Sequence, residues 1–334
     1  MRLLFLTATR IGDAVLSSGL LGQLIDDNPG IEVTVAVGRL SAPLFAAVPG
    51  LERIVVIDKQ SYNRHWLRLW RRTAFRYWDL VVDLRGSVIA YLVPAGKRYV
   101  IGKRQPGRHR VEELGDLVAD PRRPGPPPAP RLWLVEAVKA RAAEMLPDGP
   151  PVLAVAPAAN WMGKTWPAER FAELALRLTG EGGILPGGRI AVVAAPHEVF
   201  QTRPVLQAAG ARGVDLVAAG DLLLAGACLK RAAFFVGNDS GLMHLAAAAG
   251  TPTLGLFGPS PEARYRPWGP HAAYVRTPES FEALTGARGF DFAARQCFME
   301  SLTVDAVEAV ARDLWSKVPA PLRSRAEPPV PPPG

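Results

Sequence analysis

The stretch "AAFFVGNDSGLMHLAAAAGTPTLGLFG" (residues 232–258) decides the fold class, because it predicts a strand, a helix and a second strand in direct succession. Residues 232–238 and 251–258 are apolar runs of strand length, and the small and apolar residues between them predict a helix over 240–249. This order is typical of a parallel sheet covered by helices. The polar segment "GNDSGLMH" (237–244) then falls at the carboxyl end of the first strand, where doubly wound sheets bind ligands.

The same alternation continues on both sides and predicts an α/β protein with two Rossmann-like domains. In the second half it predicts strands at 152–157, 189–196 and 214–220, and helices at about 167–179, from 198 onward, at 221–231 and at 303–317. In the first half it predicts strands at 2–8, 32–37, 53–57, 79–84 and 98–101, and helices at 13–26 and about 131–146. The proline-rich connection 121–130 and the turn residues 147–151 punctuate the chain. We therefore expect domains at 1–147 and 151–318, followed by a disordered, proline-rich tail at 319–334.

Bulk composition limits the class of protein. The chain has 334 residues, of which 49% are hydrophobic, enough to bury the cores of roughly two domains. Its two cysteines, Cys228 and Cys297, do not make a disulfide framework and favour a reducing compartment. No apolar run approaches the ~20 residues of a spanning helix, and the start "MRLLFLTATRIGD" lacks the features of a signal peptide. We therefore expect a cytoplasmic protein, whose net charge of +8 permits nucleic acid, anionic lipid or anionic metabolites as partners.

Polar side chains follow the predicted strands of the second half at their carboxyl ends. Successive segments contribute Asn160 and Lys164, His197 and Glu198, Asp221, the segment 239–244 and the segment 259–268. Because the carboxyl ends of parallel strands lie along one edge of a sheet, we expect these segments on a shared rim. Their co-location is stronger evidence for a ligand site than any single motif.

The segment 239–244 has two interpretations that the residues alone leave open. Asp239 or Ser240 has the chemistry of an N-cap for the following helix. Alternatively, Gly241 has no side chain and lets a phosphate approach the amides of the helix N-terminus. The two interpretations are compatible, since a capped helix still binds an anion. His244 lies one turn beyond Ser240 and either props the loop or points to the same rim.

Three further candidates each have a structural and a functional interpretation. Lys164 is either a surface lysine or a clamp for a diphosphate. Glu198 is either an acid that the helix dipole favours or an acceptor for ribose hydroxyls. Asp13 is either favoured by the dipole of its own helix or a general base that faces the cleft, although the dipole weakens it as a base. The chain has no G-x-G-x-x-G fingerprint beside Asp13, which disfavours a nicotinamide dehydrogenase.

Residues 64–76, "RHWLRLWRRTAFR", interleave arginine with tryptophan and other apolar residues. One interpretation is a solvated helix face with aromatic contacts to the core. The other is a surface for a phosphorylated lipid acceptor and an anionic membrane leaflet, with contacts from interfacial tryptophan and from Arg64, Arg68, Arg71 and Arg72.

The chain resembles glycosyltransferase family 9, the lipopolysaccharide heptosyltransferases. The resemblance rests on "RIGDAVLSSGLL" (10–21), "DLVVDLRGS" (79–87), "KTWPAERFAELA" (164–175) and "GNDSGLMHLAAAAGTPTLGLFGPSP" (237–261). It spans about residues 1–315, and its last motif is highly specific in combination with the first. The resemblance implies the GT-B fold, in which two Rossmann-like domains with parallel sheets face each other across the cleft that holds the active site.

By position, the resemblance implies Asp13 as the base and Lys164 as the lysine that binds the donor phosphates. It also implies that the donor diphosphate lies at the helix N-terminus formed by Asp239, Ser240 and Gly241, with His244 beside them. The acid that contacts the donor ribose is implied to be Glu198. The expected reaction is an inverting, metal-independent transfer of a sugar, heptose from ADP-heptose, onto a lipopolysaccharide core or similar anionic glycolipid. The first domain would bind this acceptor and the second the donor, at the inner face of the cytoplasmic membrane.

No resident cofactor, metal or nucleic acid is expected. The chain contains no D-x-D signature of metal-dependent transferases, and cysteine and histidine are too sparse for a zinc site. One departure from the family concerns the loop before Lys164, which often carries small hydroxyl residues and here reads "PAAN" (157–160). Ala158 and Ala159 offer no hydroxyl, so Asn160 or backbone amides are expected to serve instead.

Several properties stay open from the sequence: the donor sugar and nucleotide, the acceptor and linkage, the oligomeric state, and whether His244 contacts the donor. Two rival classes rank below the transferase. One is a GT-B sugar-nucleotide epimerase, which needs no acceptor. The other is a non-catalytic nucleotide or nucleic-acid binder, which the charge alone suggests.

Overall fold

The computed structural model describes residues 1–58, 64–119, 125–217, 220–286, 290–291 and 296–323. The chain forms two compact units, Met1–Val135 and Glu136–Gly334, and each contains one all-parallel sheet. The predicted α/β class with two Rossmann-like halves is therefore confirmed. Residues 121–124 of the predicted connection and 324–334 of the predicted tail lie outside the described residues, while Ala320–Arg323 in that tail forms a short helix.

The strands of the first unit are β1 (Arg2–Leu6), β2 (Glu32–Val37), β3 (Leu51–Val56), β4 (Trp78–Asp83) and β5 (Ala95–Val100). Its described helices are α1 (Ile11–Asp27), α2 (Arg64–Thr73), α3 (Ile89–Leu92) and α4 (Arg110–Asp116), with a 3-10 helix at Arg39–Phe45. The strand order is β3-β2-β1-β4-β5. The chain therefore adds β2 and β3 on one side of β1 and then returns to add β4 and β5 on the other side. Both central strands are almost wholly buried, which explains their continuous apolar runs.

Helix α1 is buried over most of its length, and glycine lets another part of the chain lie against it. A side chain at Gly19 would collide with the carbonyl oxygen of Pro128, and one at Gly22 with the side chain of Arg131. The Arg131 N–H donates a hydrogen bond of 2.8 Å to Ser18 Oγ. The end of the proline-rich connection is thus fixed along α1, within the first unit.

The strands of the second unit are β6 (Val152–Ala156), β7 (Arg189–Val192), β8 (Gly213–Asp215), β9 (Phe234–Asn238), β10 (Thr253–Phe257) and β11 (Ala272–Arg276). Its described helices are α5 (Glu136–Met145), α6 (Ala168–Thr179), α7 (Val199–Ala209), α8 (Leu222–Arg231), α9 (Gly241–Ala248), α10 (Glu262–Tyr265), α11 (Phe281–Thr285), α12 (Val304–Lys317) and α13 (Ala320–Arg323). The strand order is β11-β10-β9-β6-β7-β8. Apolar side chains of β6 and β9 pack with those of α6 and α12 in one core. Among the described helices of the chain, none has the length and hydropathy needed to cross a bilayer.

Three features differ from the predicted organisation. Helix α5 packs against α8, so the boundary between the units falls at Val135/Glu136 rather than near residue 147. Strand β11 was not predicted from the sequence, because a half-buried strand at the edge of a sheet needs no continuous apolar run. Strands β7 and β8 end earlier than predicted, at Val192 and Asp215, because the apolar residues that follow them belong to the rim loops.

Candidate functional site

The candidate site of the second unit lies where the strand order reverses. From β6 the chain runs outward through β7 and β8, and it then returns to the other side of β6 to build β9, β10 and β11. Lys164 follows β6 and Asp239 follows β9, so both lie at the carboxyl ends of adjacent strands. This is the topological switch point, where open α/β sheets form a ligand crevice.

Lys164 and Asp239 meet at this point. The Lys164 Nζ atom lies 3.4 Å from Asp239 Oδ2, and the two side chains are only 17% and 10% exposed. The distance is long for a charge-assisted hydrogen bond, for which about 2.7–2.9 Å is usual. The lysine is therefore held near the helix that follows Asp239 while its ammonium group retains capacity to bind a second anion.

A compact turn presents Lys164. It is the last residue of a 3-10 turn, Met162–Lys164, and the ring of Trp161 occupies the place where a side chain at Gly163 would lie. The C-terminal part of the unit supports this turn from outside, since the Phe298 N–H donates a 3.0 Å hydrogen bond to the Gly163 carbonyl. Glycine is thus required beside the lysine by the packing of Trp161.

Asn238 connects the two loops of the switch point. Its side chain is fully buried, its Nδ2 donates to the Pro157 carbonyl at 2.8 Å, and its Oδ1 accepts the Trp166 N–H at 3.0 Å. The amide at the end of β9 therefore fixes both ends of the segment that carries Lys164. Asn238 is absent from the predicted site residues; the signal that marks it is an amide at the last position of an otherwise apolar strand.

The N-terminus of α9 is not capped by a side chain. Ser240 occupies the N-cap position with extended backbone, yet its hydroxyl makes no capping hydrogen bond, and the Asp239 carboxylate bonds only to Lys164 among the described residues. The capping interpretation is therefore wrong for both residues. The Ser240 Oγ is buried without a described hydrogen-bond partner, as is Ser260 Oγ beyond the neighbouring strand β10. The amides that begin at Gly241, together with the Ser240 hydroxyl beside them, are suited to an oxyanion.

The other predicted donor residues lie on the same rim at different depths. Glu198 Oε2 accepts the Ala195 N–H at 2.9 Å in the turn after β7, and His244 is buried within α9. Asn160 is exposed and forms no side-chain hydrogen bond with a described residue. Neither Glu198 nor Asn160 forms a hydrogen bond or ion pair with Lys164, whose partner among the described residues is Asp239.

The first unit carries the remaining predicted residues. Asp13 is the third residue of α1, is half-buried, and forms no side-chain hydrogen bond or ion pair with a described residue. Four exposed side chains of α2 likewise have no described hydrogen-bond or ion-pair partner: Arg64, Arg68, Arg71 and Arg72. Trp66 and Trp70 are partly buried and pack against the core of the unit, as the first interpretation of this segment expects, and contact of the segment with a membrane stays a prediction.

Within the described ranges, no group of three histidine, cysteine, aspartate or glutamate side chains is arranged to hold a metal ion. Both cysteines are free thiols, and burial raises the pKa of Cys228 to about 11. Burial also raises the pKa of Cys297, whose thiol donates to the Thr165 carbonyl at 3.2 Å.

Comparison with known proteins agrees with this geometry. Residues 101–285 match the family model of glycosyltransferase family 9 (heptosyltransferase). The chain is 30% identical over 304 residues to lipopolysaccharide heptosyltransferase 1 of Pseudomonas aeruginosa, an alignment that covers 78% of this chain and 79% of that protein.

Two solved structures share the fold. The ADP-heptose lipopolysaccharide heptosyltransferase II of Escherichia coli superposes with a TM-score of 0.73 at 20% identity, covering 95% of this chain and 99% of the other. The iron-containing dodecameric glycosyltransferase TibC of enterotoxigenic Escherichia coli gives a TM-score of 0.55 at 16% identity, covering 94% and 78%. The two-unit architecture is that of the GT-B glycosyltransferases, as predicted.

Proposed function

This chain belongs to glycosyltransferase family 9, the heptosyltransferases, and from that membership we propose that it transfers a heptose from ADP-heptose to an anionic glycolipid such as a lipopolysaccharide core. The single observation that carries the proposal is the convergence of Lys164 with the uncapped N-terminus of α9 at the switch point of the second unit. A nucleoside diphosphate needs this combination of a cation and directed amides.

The donor is proposed to lie along the rim of the second unit. Lys164 and the amides from Gly241 onward hold the diphosphate, and the buried hydroxyl of Ser240 donates to it. Glu198 uses its remaining carboxylate oxygen to accept ribose hydroxyls. His244 and Asn160 complete the set, and the amide of Asn160 takes the place of the hydroxyls that Ala158 and Ala159 lack.

The acceptor is proposed to bind the first unit, with Asp13 as the general base. The Asp13 carboxylate takes the proton of the acceptor hydroxyl while the oxygen of that hydroxyl attacks the anomeric carbon of the donor sugar. The bond from that carbon to the diphosphate oxygen breaks on the opposite face, so the configuration inverts and ADP leaves. Lys164 and the α9 amides stabilise the charge on the leaving diphosphate, which is why we propose that no metal is required.

We further propose that the protein acts at the cytoplasmic face of the inner membrane as a peripheral protein. The support is the outer face of α2, where four exposed arginines without a described partner accompany Leu67, which is 58% exposed. The neighbouring helix α3 exposes Tyr91 and Leu92, and Trp70 Nε1 donates to the Leu92 carbonyl at 3.0 Å, which joins the two helices. Cations beside exposed apolar groups are typical of surfaces that bind anionic lipid headgroups.

The transfer is tested by incubating the protein with ADP-heptose and a heptose-deficient lipopolysaccharide. We expect ADP release that depends on the acceptor and a glycolipid heavier by one heptose. Loss of ADP-heptose without acceptor would instead indicate an epimerase, and no turnover with any nucleotide sugar would contradict the proposal. The same assay after treatment with EDTA tests the metal-independent step, because restoration of lost activity by magnesium or iron would overturn that part.

A further inference from the structure

Arg85 lies at the switch point of the first unit. Leu6 of β1 pairs in register with Asp83 of β4, so the loops that follow these strands leave the sheet at the same edge. One loop leads into α1 and Asp13, and the other contains Arg85. By the topological argument that locates the site in the second unit, this edge is where the first unit binds its ligand.

The loop that carries Arg85 is rigidly built. The buried Asp83 carboxylate accepts the N–H of Arg85 at 2.8 Å and the N–H of Ser87 at 2.9 Å, and it also accepts the Ser87 hydroxyl. Gly86 between them has a φ of 61°, a left-handed conformation that favours glycine. Asp83 therefore uses its oxygens on its own loop and forms no ion pair with Arg85.

The Arg85 guanidinium is stacked on an aromatic ring, half-buried, and without a hydrogen-bond partner among the described residues. It lies 4.6 Å from the ring centroid of Trp66, its Nη1 is buried, and none of its nitrogens bonds to a described residue. Burial lowers the pKa of this guanidinium, and the charge of Asp83 offsets part of that change. Leaving a buried, charged donor unpaired is costly, so this arrangement requires an explanation.

Two other arginines of the same unit show how structural guanidinium groups are satisfied. Arg76 also stacks on tryptophan, 5.4 Å from the Trp78 ring, but it forms ion pairs with Glu32 and Glu52. Arg98, on the next strand, donates to three backbone carbonyls at 2.7–2.9 Å, those of Ala90, Val93 and Ala95. Arg85 stacks on tryptophan as Arg76 does, and it is half-buried as Arg98 is. Among the described residues, however, neither a carboxylate nor a carbonyl accepts a hydrogen bond from its guanidinium.

We propose that Arg85, resting on Trp66, binds one oxyanion of the acceptor, a sugar carboxylate or a phosphate monoester. A planar guanidinium that stacks on an aromatic ring presents its nitrogens as a fork, which matches either anion through two parallel hydrogen bonds. The anion supplies the missing hydrogen bonds and places the acceptor on the rim that leads to Asp13. This inference rests on the proposed transfer only in identifying the anion as part of the acceptor.

Direct binding is tested on the full chain by following arginine Nε–H resonances in NMR spectra. The probes are glucuronate, which carries a carboxylate, and glucose 6-phosphate, with glucose as the neutral control. We expect one resonance, absent in Arg85→Met, to shift saturably with the preferred anion and not with glucose. An unmoved Arg85 resonance with both anions would overturn the proposal, whether or not the protein transfers a sugar.

Kinetics then separate binding from structural support. Arg85→Met is expected to raise the acceptor KM about 10- to 100-fold, the usual effect of losing a charge-assisted bidentate bond, while the donor KM stays within about twofold. Arg85→Lys keeps the charge without the fork and should recover part of the affinity. Arg2→Met is the charge-matched control, because Arg2 begins β1 and lies at the amino ends of the strands, away from the loop of Arg85. This variant should leave both KM values unchanged. Equal increases of both KM values in Arg85→Met would indicate a purely structural arginine.

Discussion

The ammonium of Lys164 and the carboxylate of Asp239 lie 3.4 Å apart at the ends of two adjacent strands, in a place from which water is largely excluded. The pair connects the turn after β6 to the short segment between β9 and α9, and these two segments meet where the sheet reverses its strand order. A diphosphate that binds here would lie against Lys164 on one side and against the amides of α9 on the other.

Lys164→Met should weaken the binding of ADP about 10- to 100-fold, because a hydrogen bond to a charged group contributes about 1.5–3 kcal/mol. Isothermal titration of the variant with ADP measures the effect. Lys317→Met, which removes an exposed lysine paired with Asp313, is the matched control and should bind ADP as the unaltered chain does. An ADP affinity within twofold of the original would remove Lys164 from the site.

Asp13→Asn should lower kcat about 10²- to 10⁴-fold while leaving the affinity for ADP unchanged, since general bases contribute rate enhancements of that order. The measurement is ADP release in the transfer assay, combined with ADP titration. Asp27→Asn changes an exposed acid at the other end of the same helix and should retain full activity. An unaltered rate in Asp13→Asn would mean that another group takes the proton.

Asn238→Ala should destabilise the second unit by about 2–4 kcal/mol, because it leaves the Trp166 N–H and the Pro157 carbonyl buried without partners. Urea unfolding followed by tryptophan fluorescence measures the loss. Asn160→Ala, at an exposed amide without a described partner, should change stability by less than about 0.5 kcal/mol. Equal stability of the two variants would show that the Asn238 bridge contributes nothing.

Replacement of all four α2 arginines by glutamine should abolish binding to vesicles that contain anionic lipid. Each arginine near such a surface contributes about 1 kcal/mol, so the combined loss is about 10³-fold in affinity. Co-sedimentation with vesicles measures it, and vesicles of neutral lipid are the control, since they should bind neither protein. Membrane binding that survives both the substitutions and high salt would exclude this helix as the contact.

The stability of the folded chain should fall between pH 9 and pH 11 by about 2 kcal/mol through Cys228 alone. Its pKa is raised to about 11 by burial, so the unfolded chain loses this proton first as the pH rises. The check is the difference in urea stability between the original chain and Cys228→Ala across this range. A constant difference would show that the buried thiol does not titrate as expected.

Much of the architecture could be predicted because each central strand is a continuous apolar run that ends near glycine or proline. The rim could be predicted because residues such as Lys164 and Glu198 follow those runs directly. Strand β11 escaped prediction because half-buried edge residues have no such signature.

The connections within the sites could not be predicted in this way. Asn238 bonds to a backbone group 72 residues away, and Phe298 supports Gly163 across an even longer separation. No local period encodes contacts of this kind. The sequence does not show either that Arg85 lacks a partner among the described residues, because the letters "DLRGS" do not reveal that the Asp83 carboxylate accepts its hydrogen bonds from its own loop.

The contact between α1 and the end of the proline-rich connection has a consequence for synthesis of the chain. Ser18 accepts its hydrogen bond from a residue 113 positions later, and Gly19 faces the carbonyl of Pro128. The helix that carries Asp13 is therefore among the first segments to leave the ribosome, but its contacts with Pro128 and Arg131 form only after residue 131 has emerged. The first unit therefore completes its packing only after the whole of its own sequence has been made, although its first helix is among its earliest segments.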